Sequence, residues 1–112
     1  MEAASTLSSP LGRISIASDA IAQIVSHAAD EAYGVVGVGG RGLARLRSRR
    51  GIQVSRHDDG VRIDLHVVVE YGLNLTEVAS TLRNRVAYEV ERLAGLRVST
   101  IEVHIEDVRR SA

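Results

Sequence analysis

The residues best suited to acid–base or metal chemistry in this chain are histidines and neighbouring carboxylates. Six of them fall on the outward faces of predicted strands: Asp64, His66, Glu70, Glu102, His104 and Glu106. The four histidines of the chain lack the spacing of a metal motif and cysteine is absent, so a zinc site would need ligands from several elements. We therefore expect no metal and no cofactor, and interpret the six residues as a charged, solvated face that could bind a protein.

Nucleophilic catalysis has no recognisable sequence signal here. The chain contains no G-x-S-x-G elbow, the strand-to-helix turn that presents a catalytic serine in many hydrolases. The sequence predicts a protein that is not an enzyme and has no small-molecule substrate.

A cluster of arginines follows a glycine-rich stretch. Residues 41–56 contain six arginines and no acid, and five of the six are candidates for contact with a partner or a phosphate: Arg41, Arg45, Arg47, Arg49 and Arg50. On a short helix, positions 41, 45 and 49 would form a positive ridge. The alternatives are a solvated loop, contact with anionic lipid, and contact with nucleic acid.

The nucleic-acid alternative depends on Gly37 and Gly40. Their spacing, with apolar Leu43 and Leu46 after them, resembles the G-x-x-G loop between two helices of KH domains, which clamps a nucleic-acid backbone. Such loops usually carry a basic residue between the glycines, but this chain has Val and Gly there. Phe and Trp are also absent, which removes most of the stacking surface that single-strand binders use. Nucleic acid is therefore the second hypothesis.

Length and composition limit the domain organisation. At 112 residues with no net formal charge, the chain fits one domain. No apolar run approaches the roughly 20 residues that span a bilayer, and the first residues lack the features of a signal peptide. We expect a flexible tail over residues 1–11, one domain over residues 12–110, and a cytoplasmic location.

The hydrophobic pattern predicts the elements. Residues 12–17 alternate as a strand, and a helix follows from about 19 to 33 with Ser18 or Asp19 as its cap. Short strands are predicted at 35–38 and 51–56, with a hairpin turn at 57–60. The next strand has an apolar face of Val61, Ile63, Leu65, Val67, Val69 and Tyr71. A second helix opens at Asn74 or Thr76, stops at Gly95 and has a stripe of Val78, Leu82, Val86, Val90 and Leu93.

A last strand, with Ile101, Val103 and Ile105 facing inward, completes a β-α-β-β-α-β-like order. Such an order predicts an α+β fold in which two helices pack on one face of a mainly antiparallel sheet.

Several separated motifs resemble the bacterial alkaline shock, or envelope stress response, protein family. They are the opening "GRISIASDAIAQIVSHAADEAYGVVGV", the strand that ends in Tyr71-Gly72, the amphipathic helix, the turn "GLRV" and the final strand, over about 95 residues. The arginine-rich stretch falls in the variable loop of that family. The resemblance implies a small non-enzymatic bacterial protein that self-associates and is held near the inner face of the cell membrane by a small membrane-anchored partner.

Overall fold

A computed structural model describes residues 5–38 and 51–110 of the chain. These residues form strands and helices in the order β-β-α-β-β-β-α-β. The elements are β1 (Ser5–Ser9), β2 (Gly12–Ile16), α1 (Ser18–Asp30), β3 (Val35–Val38), β4 (Ile52–His57), β5 (Gly60–Glu70), α2 (Leu75–Ala94) and β6 (Val98–Arg109). The predicted α+β class is confirmed.

The strand β5 lies at the centre of the main sheet. Antiparallel partners share one of its edges, where β4 pairs with residues 60–65 and β3 with residues 67–69. Along the other edge, β6 pairs in parallel over residues 61–70. The parallel pair is joined through α2, because parallel neighbours need a long crossover connection.

The core lies between one face of this sheet and the two helices. Every second residue of β5 is buried on that face: Val61, Ile63, Leu65, Val67 and Val69. From α2 come Val78, Leu82, Val86, Val90 and Ala94, and from α1 come Ile21, Ala22, Val25, Ala28 and Ala29. Burial of these two helical stripes on an apolar sheet face is the main favourable term in folding.

Local chemistry determines the ends of α2. The side-chain Oδ1 of Asn74 accepts a hydrogen bond of 3.0 Å from the N–H of Glu77, which satisfies one of the free donors of the first turn. At the other end Gly95 has φ 69°, the left-handed conformation that commonly stops a helix. Helix α1 differs from the prediction, because its cap residue is Ala17 and no side-chain hydrogen bond caps it.

The N-terminal segment forms a hairpin that we call the arm (residues 5–16). Its strands β1 and β2 pair with each other from Ser5 opposite Ile16 to Ser9 opposite Gly12, in a sheet separate from the main one. Within the predicted tail over residues 1–11, the structure describes Ser5–Ser9 as a strand. Pro10 follows directly and suits the turn that folds β1 back on β2.

Two residues expected in the core are exposed instead. Leu93 is 56% exposed because the stripe continues by steps of four from Val90 to Ala94, which is buried in its place. Tyr71 is 59% exposed because β5 ends at Glu70, and the guanidinium carbon of Arg110 lies 4.8 Å from the centre of its ring. The inward residues of β6 are only half-buried, although they pack against the core.

Candidate functional site on the open sheet face

The face of the main sheet opposite the helices, which we call the open face, collects charged residues of β5 and β6. Strand geometry points successive side chains to opposite faces, so the burial of odd positions in β5 leaves the even ones on the open face. These even positions include Arg62, Asp64, His66 and Glu70, and all four are partly exposed. The alternation in the sequence thus predicts this face correctly.

The parallel register places similar residues of the two strands side by side. Asp64 pairs with Glu102, and His66 pairs with His104. The two imidazole rings stack with centroids 4.5 Å apart and planes 15° from parallel. Each strand carries an acid-x-His sequence, and the register aligns the two copies.

A β-bulge in β6 adds Glu106 to the group formed by Asp64, His66, Glu102 and His104. Val67 pairs with Ile105 but Val68 pairs with Asp107, so Glu106 is the extra residue of β6. Its Oε2 atom lies 2.7 Å from Nδ1 of His66, and both side chains are about 30% exposed. The bulge therefore allows Glu106 to hold one ring of the stack.

The two carboxylates near His104 are shared between that ring and Arg62. Nε2 of His104 lies 3.4 Å from Oδ1 of Asp64 and 3.9 Å from Oε1 of Glu102. The second oxygens, Oδ2 and Oε2, lie 3.7 Å and 3.3 Å from the guanidinium nitrogens of Arg62. Each carboxylate thus presents one oxygen to arginine and the other to imidazole.

Of the six residues predicted for this face, the structure brings five together. Glu70 lies on the same face, but four residues beyond His66, which in a strand is about 13 Å. Arg62, which contacts two members of the group, was not among the predicted site residues. The repeated acid-x-His sequence in two strands is the signal that could have indicated their alignment.

A groove between α2 and β6 is a second feature of the surface. It has a volume of about 370 Å³ and is lined by residues that include Leu75, Ala79 and Arg83 of α2 and Ile101, Val103 and Ile105 of β6. Among the described residues, no strand pairs with the outer edge of β6. Apolar side chains and unpaired backbone groups therefore lie next to each other here.

A cleft of about 380 Å³ between α1 and α2 has a different character. Ion pairs line it, because Arg85 lies 3.0 Å from Glu31 and Arg92 lies 2.8 Å from Glu89. The hydrogen bond and the negative charge of Glu89 raise the pKa of Arg92. Arginine is charged at physiological pH in any case, so the raised pKa does not make Arg92 a group suited to proton transfer.

The sequence profile of the alkaline shock protein family, described as having a cell envelope-related function, matches residues 6–110. The chain belongs to this family. The matched range includes every described helix and strand apart from the first residue of β1.

Curated relatives agree with this membership. The alkaline shock family chain is 31% identical over 107 residues to the uncharacterized protein YloU of Bacillus subtilis (strain 168), covering 88% of this chain and 89% of that protein. It is 26% identical over 106 residues to the stress response regulator gls24 homolog of Streptococcus pyogenes serotype M3, covering 88% and 59%. The family description is thus envelope-related, and a stress-response description recurs among the curated relatives.

Solved structures show a related fold. A variant of MamM-CTD superposes with a TM-score of 0.59 at 14% identity, covering 80% of this chain and 92% of that chain. A zinc form of another MamM-CTD variant gives 0.58 at 14% identity, covering 80% and 84%. At this identity the likeness concerns the fold alone.

The predicted arginine cluster of this alkaline shock family chain, with Arg41, Arg45, Arg47, Arg49 and Arg50, lies outside the described residues. Gly37, the first glycine of the KH-like pattern, lies in β3 opposite Val68. A KH loop instead follows a helix, so the structure does not support that resemblance at its first glycine. In the part of the chain that the structure describes, no helix has the length and apolar character to cross a membrane.

Proposed function

We propose that this chain is a non-enzymatic protein of the cell-envelope stress response that acts by binding proteins, and that one of its partners is a second copy of itself. The exposure of the arm is the main observation that supports the proposal. All residues from 8 to 15 are exposed, including Leu11 and Ile14. Isolated two-stranded hairpins are marginally stable in water, and unpaired strand edges are templates for another chain.

The groove beside β6 supplies a matching surface for the arm. It combines the unpaired edge of a 12-residue strand with half-buried Ile101, Val103 and Ile105. A strand of the arm that pairs with β6 would extend the main sheet, with Ile14 entering the groove. We favour a second copy of the chain as the occupant, because the same chain carries both the exposed apolar side chain of the arm and the apolar groove that could bind it.

The first experiment measures molar mass by light scattering after gel filtration, over a range of protein concentrations. We expect association that increases with concentration and that Ile14→Arg weakens at least tenfold. Ser15→Arg is the matched control, because it adds the same charge to the opposite face of β2. A strictly monomeric wild-type chain, or equal losses in both variants, contradicts the proposal.

A mixing experiment tests the pairing of arm with groove. Ala79→Lys blocks the groove and leaves the arm intact, whereas Ile14→Arg does the reverse. We expect each variant alone to be monomeric and an equal mixture to form heterodimers through the remaining arm and groove. Thr81→Lys, on an exposed position of α2 outside the groove, is the control. No heterodimer in the mixture would exclude this mode of contact.

The proposal places the protein in the cytoplasm at the inner face of the membrane, bound to a small membrane-anchored partner. The description of the family as cell envelope-related supports this location. The open face is the candidate surface for the anchor, because a sheet holds its charges in a rigid arrangement. Fractionation of the host cell should recover the protein with membranes and release it by a high-pH wash, which removes peripheral proteins. Recovery in the soluble fraction alone would refute the location.

The contribution of the open face to anchoring requires its own comparison. We expect Glu70→Arg to shift the protein to the soluble fraction, since it reverses a charge on this face. Glu77→Arg reverses an exposed charge at the start of α2 and serves as the control. Unchanged recovery of Glu70→Arg with membranes would argue against this face as the anchoring surface.

A further inference from the structure

We propose that Asp64, Glu102 and His104 bind a zinc ion on the open face. Their ligand atoms, two carboxylate oxygens and an imidazole nitrogen, all lie within 4.8 Å of one another. This mixed set of donors matches the nitrogen and oxygen ligands that zinc takes in proteins. The linear spacing of the histidines predicts no metal site, but the register between β5 and β6 brings these three side chains together.

The distances require only small side-chain movements to accommodate the ion. With zinc–ligand distances of about 2.1 Å in a tetrahedral site, two ligand atoms on one ion are about 3.4 Å apart. Nε2 of His104 already lies 3.4 Å from Oδ1 of Asp64, and 3.9 Å from Oε1 of Glu102. Three protein ligands on an exposed face leave the fourth position for water, as in open zinc sites.

Groups around the three ligands hold them in this arrangement. Arg62 contacts Oδ2 of Asp64 and Oε2 of Glu102, so the other oxygen of each carboxylate faces His104. The ring of His66 stacks on His104 and is itself held by Glu106. Contacts of this kind orient metal ligands in zinc proteins, where their loss commonly weakens binding by about 10- to 100-fold. Arg62 and His66 are therefore positioning residues.

Titration calorimetry with zinc chloride and the full-length chain tests this site. We expect one zinc ion per chain, with affinity reduced at least tenfold by Asp64→Asn and by His104→Gln. His57→Gln is the matched control, because His57 is an exposed histidine at the end of β4, whose Nε2 lies 3.2 Å from Oγ of Ser55. Absence of zinc binding, or the same loss in His57→Gln, overturns the proposal.

Two further measurements separate ligand loss from unfolding. Thermal unfolding of each variant without metal should match that of the wild type, since all three substitutions are at partly or fully exposed positions. In nitrogen NMR spectra of the histidine rings, zinc should shift Nε2 of His104 and leave His57 unchanged. A shift confined to His66 would overturn the assignment of His104 as the ligand. The result does not depend on self-association, because the arm and the groove contain none of these residues.

Discussion

The imidazole rings of His66 and His104 stack across the parallel β5–β6 pair, with centroids 4.5 Å apart. One ring contacts Glu106 and the other contacts Asp64, so each is held from its own side. The stack restrains the direction of Nε2 of His104. The ring of His66 restrains His104 by stacking, and Glu106 in turn holds that ring through its Nδ1 atom.

The stack predicts different effects of two substitutions on zinc affinity. His66→Ala removes the ring and should weaken binding by about tenfold, within the range for groups that orient metal ligands. His66→Phe keeps a flat ring but loses the contact with Glu106, and should weaken binding less than His66→Ala does. Calorimetric titration with zinc measures both. A similar loss in the two variants would contradict the conclusion that stacking of the ring is what positions His104.

Gly60 is predicted to be intolerant of a side chain. Its φ is 135°, and an added Cβ would lie 2.7 Å from the backbone oxygen of Arg97, which also accepts the N–H of Val61. Gly72 has φ 100° but open space around it. We expect Gly60→Ala to lower the free energy of unfolding by about 2 kcal/mol more than Gly72→Ala, since only the former adds overlap to backbone strain.

Urea unfolding at one fixed protein concentration provides the comparison between the two glycines, because association would otherwise contribute to the measured stability. Equal losses of unfolding free energy in the two variants would show that positive φ alone, and not overlap with Arg97, causes the destabilisation.

The cap of α2 predicts that replacing Asn74, but not Asn84, lowers the free energy of unfolding. Asn74→Ala removes the acceptor for the N–H of Glu77 and should lower the free energy of unfolding by about 1 kcal/mol. Asn84→Ala, at an exposed position inside the same helix, should be neutral or slightly stabilising because alanine is the better helix former. Urea unfolding distinguishes them. A loss at Asn84 as large as that at Asn74 would contradict the capping role.

The two leucines of the predicted stripe of α2 should differ in their contribution to stability. Leu82 is fully buried, and Leu82→Ala should lower the free energy of unfolding by about 2–5 kcal/mol through lost burial and a cavity. Leu93 is 56% exposed, and Leu93→Ala should change stability by no more than about 0.5 kcal/mol. Thermal or urea unfolding tests this contrast. A large loss at Leu93 in the monomer would refute the position of the stripe.

Elements with local signals were predicted close to their observed bounds. The predicted turn at 57–60 matches the connection between β4 and β5, in which His57 pairs with Gly60 and Asp58 and Asp59 form the loop. Local signals also predict the ends of α2: Asn74, one of the two predicted start residues beside Thr76, is its cap, and Gly95 is its stop. The first strand was predicted from residue 12, but its pairing with Ser5–Ser9 was not, since the polar segment before Pro10 lacks an apolar alternation.

The sequence by itself determined the α+β class, the buried face of β5 and the placement of charged residues on its other face. The spacing of apolar residues determines these features because it indicates which side chains are buried on folding. Only the tertiary structure decided that His66 lies against His104 and that Arg62 contacts both Asp64 and Glu102. Those contacts depend on the register of two strands separated by a whole helix, and on a bulge at Glu106. Register arises from packing across the entire sheet, which no local stretch of residues specifies.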